Sequence, residues 1–200
     1  MKKRKKITLK ISPNGTTTEI EAYCLATDSW ADFKHFLNAA QESKDKGLDR
    51  DANRELRAAI LCLFAHFEGI VGQILLEYAD KIEGADKAWT LNKKTELITR
   101  EAKNRVSVPD LPDLNFRLGK YLRDIVAHPG IEKTFGGETV DETVVFEKLI
   151  IQTVNELGLK IDAWLDRVCY IFKVTRFTDT KAMIEQVAEG LGSIHESREI

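Results

Sequence analysis

Apolar side chains recur at spacings of four and three through Leu56, Ile60, Leu63, Phe67, Ile70 and Ile74. That spacing lines one face of a helix, and it predicts a long helix from about Asp49 to Tyr78. Ile150, Val154, Leu157, Ile161, Trp164, Val168 and Ile171 keep the same rhythm and form the best amphipathic helix in the chain. Between and before these two, weaker patterns predict three more helices. One is capped by Asp28 or Ser29, contains Trp30, Phe33, Phe36 and Leu37, and ends near Gly47. Another covers roughly Ala85 to Lys103, with Trp89, Leu97 and Ile98 on one side. After the break at Val108-Pro109-Asp110-Leu111-Pro112, Asp113 caps a short helix through Leu114, Leu118, Leu122 and Ile125. It stops at His128-Pro129-Gly130, because proline disfavours helical geometry in the residue before it.

The ends of the chain read differently. Ile7, Leu9 and Ile11 alternate with polar residues, Ser12-Pro13-Asn14-Gly15 has turn chemistry, and alternation resumes from Thr16 to Cys24. This predicts a β-hairpin, which alone is marginal and must pack on something or stand as an appendage. A loop is expected around Gly136-Gly137, and a last, weaker helix over Thr178 to Ser193. The expected fold is all-α, an up-and-down helical bundle with a short N-terminal β-hairpin. Residues 1–26 form the appendage, 27–177 the bundle and 178–200 a C-terminal helix or tail.

Composition narrows the class. Of 200 residues, 43% are apolar and 31% charged, which suits a globular domain. No apolar run approaches the roughly 18 residues of a membrane span, and the basic start Lys2-Lys3-Arg4-Lys5-Lys6 lacks the apolar segment of a signal peptide. A cytoplasmic protein is expected. Cys24, Cys62 and Cys169 are scattered and odd in number, which does not suit a disulfide framework or zinc site, and Cys62 and Cys169 fall in apolar helical runs and read as small core residues.

The net charge of −2 hides an uneven distribution. Lys87 to Arg123 holds nine basic and four acidic residues, while the last 24 residues hold five acidic and two basic. Near-neutrality excludes an indiscriminate nucleic-acid coat, but one basic face is compatible with it. Solvated surface charge is the plainer reading. The basic stretch favours RNA slightly, without the interleaved exposed aromatics of a single-strand stacking platform.

Chemistry-bearing motifs are few. There is no P-loop, no H-E-x-x-H, no EF-hand loop and no G-x-S-x-G elbow, and His35, His66, His128 and His195 are dispersed. One constellation remains, Arg123-Asp124-Ile125-Val126-Ala127-His128 at the end of the fourth helix. Asp124 and His128 are four apart and share a face, and a helix C-terminus favours the imidazolium. A proton-transfer group beside a fixed cation is what phosphodiester cleavage needs. The same residues also suit a simple helix cap with salt bridges. Glu68, on the second helix between Phe64 and Val71, is expected to be partly buried, and Arg123 is its natural partner if the second and fourth helices pack together. Gly69 and Gly72, each costing about 1 kcal/mol against alanine, suggest a backbone approaching there.

At these residues the sequence resembles the HEPN superfamily of small helical domains. The match rests on an R-x(4–6)-H motif (Arg123, Asp124, His128), with Asp124 where asparagine is more common. It extends to the acidic Glu68 on the preceding apolar helix and to the lysine-bearing third helix around Leu91-Asn92-Lys93-Lys94-Thr95-Glu96-Leu97, spanning about Arg54 to Ile171. The resemblance implies a metal-independent endoribonuclease without cofactor, often a toxin or antiviral effector, in which two subunits bring both motifs to one cleft. It assigns His128 as general base or acid, Arg123 to the scissile phosphate, and Asp124 and Glu68 to positioning. It also admits a non-catalytic dimerisation or nucleotide- or protein-binding module, and an antitoxin or nucleotidyltransferase as partner. A homodimer is expected from the apolar surface of the long helices.

Overall fold

The computed structural model describes residues 7–11, 18–22, 25–105, 117–127, 133–135, 138–140 and 149–176, and it is mostly helical. Helix α1 (Leu25–Asp45) leads into α2 (Asp49–Glu77) through a three-residue connection. Gly47 sits there with φ of 72°, a left-handed conformation open to glycine. Leu48 N–H reaches back to the Ser43 carbonyl at 2.8 Å and Gly47 N–H to that of Lys44 at 2.9 Å, closing the end of α1. Helices α3 (Leu91–Arg105), α4 (Arg117–Ala127) and α5 (Ile151–Phe172) follow. Strands β1 (Ile7–Ile11) and β2 (Thr18–Ala22) pair antiparallel, Ile7 opposite Ala22 and Ile11 opposite Thr18, while the expected turn between them lies outside the described residues. A second short pair, β3 (Lys133–Phe135) with β4 (Glu138–Val140), flanks Gly136-Gly137 where a plain loop was expected. A Gly-Gly dipeptide between two runs is a hairpin connection, but runs of three residues are too short for alternation to register.

Helix α2 is the centre of the fold and packs against α1, α3, α4 and α5. All six residues of its predicted stripe, Leu56 to Ile74, are buried. They meet Trp164, Ile161, Val168 and Phe172 of α5 in one core. Phe67 stands edge-on to Trp164 at 5.6 Å between ring centres. At the far end of the pair, the Tyr78 hydroxyl donates to the Phe172 carbonyl, tying α2 to α5. By length and composition α2 is apolar enough to cross a membrane, which corrects the expectation that no segment is. Most of its apolar residues are taken up by the core of the bundle, while Leu61 and Leu76 stay exposed.

Three further expectations need correction. The third helix begins at Leu91, six residues late: Ala85–Lys87 is a single 3-10 turn and Thr90 Oγ1 accepts the Lys93 N–H at 3.3 Å, so threonine caps the helix where continuation was expected. Trp89 therefore precedes the helix and is 87% exposed, not core-facing. The backbone approach inferred at the α2 glycines is absent among the described residues: nothing lies within 4 Å of a Cβ added at Gly72, and Gly69 is exposed. Close packing occurs at other glycines. A Cβ at Gly158 of α5 would come within 2.6 Å of the Phe33 ring, and one at Gly119 of α4 would collide with Leu157. Cys169 is buried and Cys62 partly so; burial pushes both thiols up to about 11. Cys24 and the predicted helix over Thr178 to Ser193 lie outside the described residues.

Candidate functional site

Leu122 is fully buried, which turns its neighbour Arg123 to the edge of the α2–α4 contact. From there the guanidinium reaches across to α2. Arg123 Nη2 stands 3.0 Å from Glu68 Oε1. The guanidinium carbon lies 5.4 Å above the Phe64 ring, one turn before Glu68 on α2. On its own helix Arg123 Nε lies 3.2 Å from Asp124 Oδ1, but the N–H is not aligned for a hydrogen bond and finds no acceptor among the described residues. The other carboxylate oxygen of Asp124 accepts from Lys120 Nζ at 3.2 Å. Glu68 is 42% exposed, while Arg123 and Asp124 are 22% and 21% exposed.

Three of the four residues singled out in the sequence, Glu68, Arg123 and Asp124, thus stand together at the rim of the bundle. The fourth, His128, follows the last residue of α4 and lies outside the described residues. Lys120 was not foreseen, although its i, i+4 relation to Asp124 was legible. Lys120 and Arg123 balance Glu68 and Asp124 in charge. The arrangement offers a guanidinium with a planar donor edge, which matches a phosphate's paired oxygens, held by carboxylates that stay in contact with water.

A second polar cluster was missed altogether. Arg176, just past α5, is 5% exposed and faces both Asp162 Oδ1 at 2.6 Å and Asp166 Oδ1 at 2.5 Å. Its Nε–H donates to His66 Nε2 at 3.2 Å, and its Nη1–H to the Asp162 carbonyl at 3.2 Å. Its guanidinium lies 5.0 Å over the Trp30 ring, which also stacks on His66. His66 occupies the same core stripe as Leu63, Phe67 and Ile70, a phase visible in the sequence. Asp162 and Asp166 are likewise four apart on α5. Nothing local marks Arg176 as their partner. Among the described residues no three histidine, cysteine or carboxylate side chains gather as a metal site.

Comparison of the chain with known protein families, curated proteins and solved structures returns no match.

Proposed function

We propose that this chain is a HEPN-type, metal-independent endoribonuclease of the cytoplasm, with Arg123 and His128 as its working pair. The observation that carries the reading is the Glu68–Arg123–Asp124 group on adjoining helices, with His128 four residues after Asp124 in the sequence. In this mechanism His128 takes the proton of a ribose 2′-hydroxyl. The freed oxygen attacks the adjacent phosphorus, the bond to the 5′-oxygen breaks, and the leaving oxygen takes up a proton. Arg123 bears the charge that builds on the phosphate oxygens. Glu68 and Asp124 aim the guanidinium, and Arg123 exchanges a carboxylate for phosphate when RNA arrives. Two copies of the chain are proposed to face their motifs into one cleft as a homodimer, with an antitoxin or a nucleotidyltransferase as the natural class of partner.

Cleavage of a mixed RNA substrate in excess EDTA tests this. The wild type cuts, His128→Ala loses about 10²-fold or more, and Arg123→Lys stays impaired because a point charge cannot repeat paired donors. A strict requirement for Mg²⁺ or Mn²⁺ overturns the acid–base mechanism. The complete charge balance of Lys120 and Arg123 against Glu68 and Asp124 favours one other reading. In it the chain is a non-catalytic dimerisation or nucleotide- or protein-binding module, and the wild type is inactive in every buffer.

A further inference from the structure

Trp89 exposes 87% of its surface, and among the described residues no ring, cation or polar group contacts its indole. It is not on a slack loop. Ala88 before it and Leu91 two residues after it are both buried, and the Trp89 N–H donates to the Lys87 carbonyl at 3.1 Å. The preceding 3-10 turn starts from Gly84 in the left-handed region, φ 83°, and Arg100 of α3 donates to the Glu83 carbonyl at 3.0 Å. A turn anchored on both sides therefore holds a large apolar ring out in water, a costly position for a side chain that core packing would readily absorb.

The sequence that follows the ring is basic. From Lys87 to Arg105 the chain carries six basic residues (Lys87, Lys93, Lys94, Arg100, Lys103, Arg105) and two acidic ones, Glu96 and Glu101. Lys93 is held by Glu96 at 3.1 Å, whereas Lys87 and Lys94 have no ion-pair partner among the described residues. Trp89 also sits immediately before the capped N-terminus of α3, the positive end of that helix. Glu83 and Asp86 are the opposing charges in the preceding turn.

We infer that Trp89 is a base-stacking platform for single-stranded nucleic acid, with Lys87 and Lys94 on the flanking phosphates. Every base has a π-face, so one exposed indole takes any base, and nearby lysines supply the sequence-independent attraction. The basic stretch was expected to lack the interleaved exposed aromatics of such a platform, and Trp89 supplies a single one. It extends the ribonuclease reading, naming a single strand as the bound form, but needs neither Arg123 nor His128.

The chain has three tryptophans, and Trp30 and Trp164 are buried. Iodide-accessible emission therefore reports Trp89. Titration with a deoxythymidine oligomer of about 15 nucleotides, which lacks the 2′-hydroxyl and cannot be cleaved by the proposed mechanism, should quench that emission saturably. Fluorescence anisotropy of a labelled oligomer should show Trp89→Ala binding about tenfold weaker and Trp89→Phe in between, with the wild-type melting curve retained. Lys94→Ala should flatten the salt dependence of binding. Binding equal in Trp89→Ala and wild type overturns the inference, as does quenching by anionic phosphatidylglycerol vesicles in place of the oligomer. RNA cleavage in EDTA alongside absent oligomer binding would sink this platform and leave the ribonuclease reading standing; the reverse result would do the opposite.

Discussion

Arg123 and Arg176 each face two carboxylates and an aromatic ring, yet the first keeps 22% of its side chain in water and the second 5%. Around Arg176 the donors are spent: His66, the Asp162 carbonyl and the carboxylates of Asp162 and Asp166 account for its nitrogens. A guanidinium enclosed in that way fastens the segment after α5 to the bundle and has nothing left for a ligand. Arg123 lies against Glu68, which is itself half in solvent, and its Nε–H has no aligned acceptor among the described residues. The two clusters hold similar groups, and burial decides their use. The enclosed one contributes to stability, and the rim one keeps its guanidinium within reach of solvent, as the proposed exchange of carboxylate for phosphate requires.

The largest expected effects separate the two arginines in opposite directions. Arg123→Ala should lower RNA cleavage by about 10²–10³-fold, the usual worth of one transition-state donor. Its unfolding free energy should change by about 1 kcal/mol or less, since an ion pair at the surface contributes little. Arg176→Ala should cost about 2–3 kcal/mol, because it removes an enclosed guanidinium that bonds buried His66 and faces two carboxylates; the carboxylates, which reach water, soften the loss. Cleavage per folded molecule should stay at the wild-type level. Urea titrations paired with the EDTA assay measure both quantities, and an interchange of the two patterns would break the comparison.

Gly119→Ala should fall next, at about 1–2 kcal/mol, as the new methyl meets buried Leu157. Gly72→Ala, where nothing lies within 4 Å, should instead be neutral or slightly stabilising in the monomer. Loss of dimer in Gly72→Ala by light scattering would sharpen the picture by placing the second copy on that open face of α2.

A further effect is alkaline. Cys62 and Cys169 are held up to about 11 from an ordinary value of 9.0, so the folded state keeps its protons where the unfolded chain has lost them. Their contribution is whole below pH 9 and fades as the pH rises towards 11. Stability should fall across that window, and peptide mapping after iodoacetamide at pH 8 should find both thiols slow to alkylate until urea is added.

How much of this was legible follows from the range over which each signal acts. The stripe Leu56 to Ile74 repeats over five turns, so its phase survives local noise and every member is buried. The pairing of Glu68 with Arg123 was readable because a carboxylate set between Phe64 and Val71 needs a cation, and the fourth helix offers one. Trp89 was misread because its spacing to Leu97 and Ile98 fits a helix that Thr90 in fact starts later. Arg176 gave no sign, since its four partners come from three distant parts of the chain. The glycines that matter, Gly119 and Gly158, look no different in sequence from Gly69 and Gly72, because what distinguishes them is the side chain opposite.

Those two glycines have a mechanical consequence. Leu157 and Gly158 are consecutive on α5, and one fills the notch of α4 while the other receives Phe33 of α1. Sliding α4 by a single turn would bring Arg123 against Leu157 in place of Gly119, where a Cβ alone already collides. The rim arginine thus keeps its station as a key keeps its ward. Phe33, on a different helix from the rim residues, belongs to the lock.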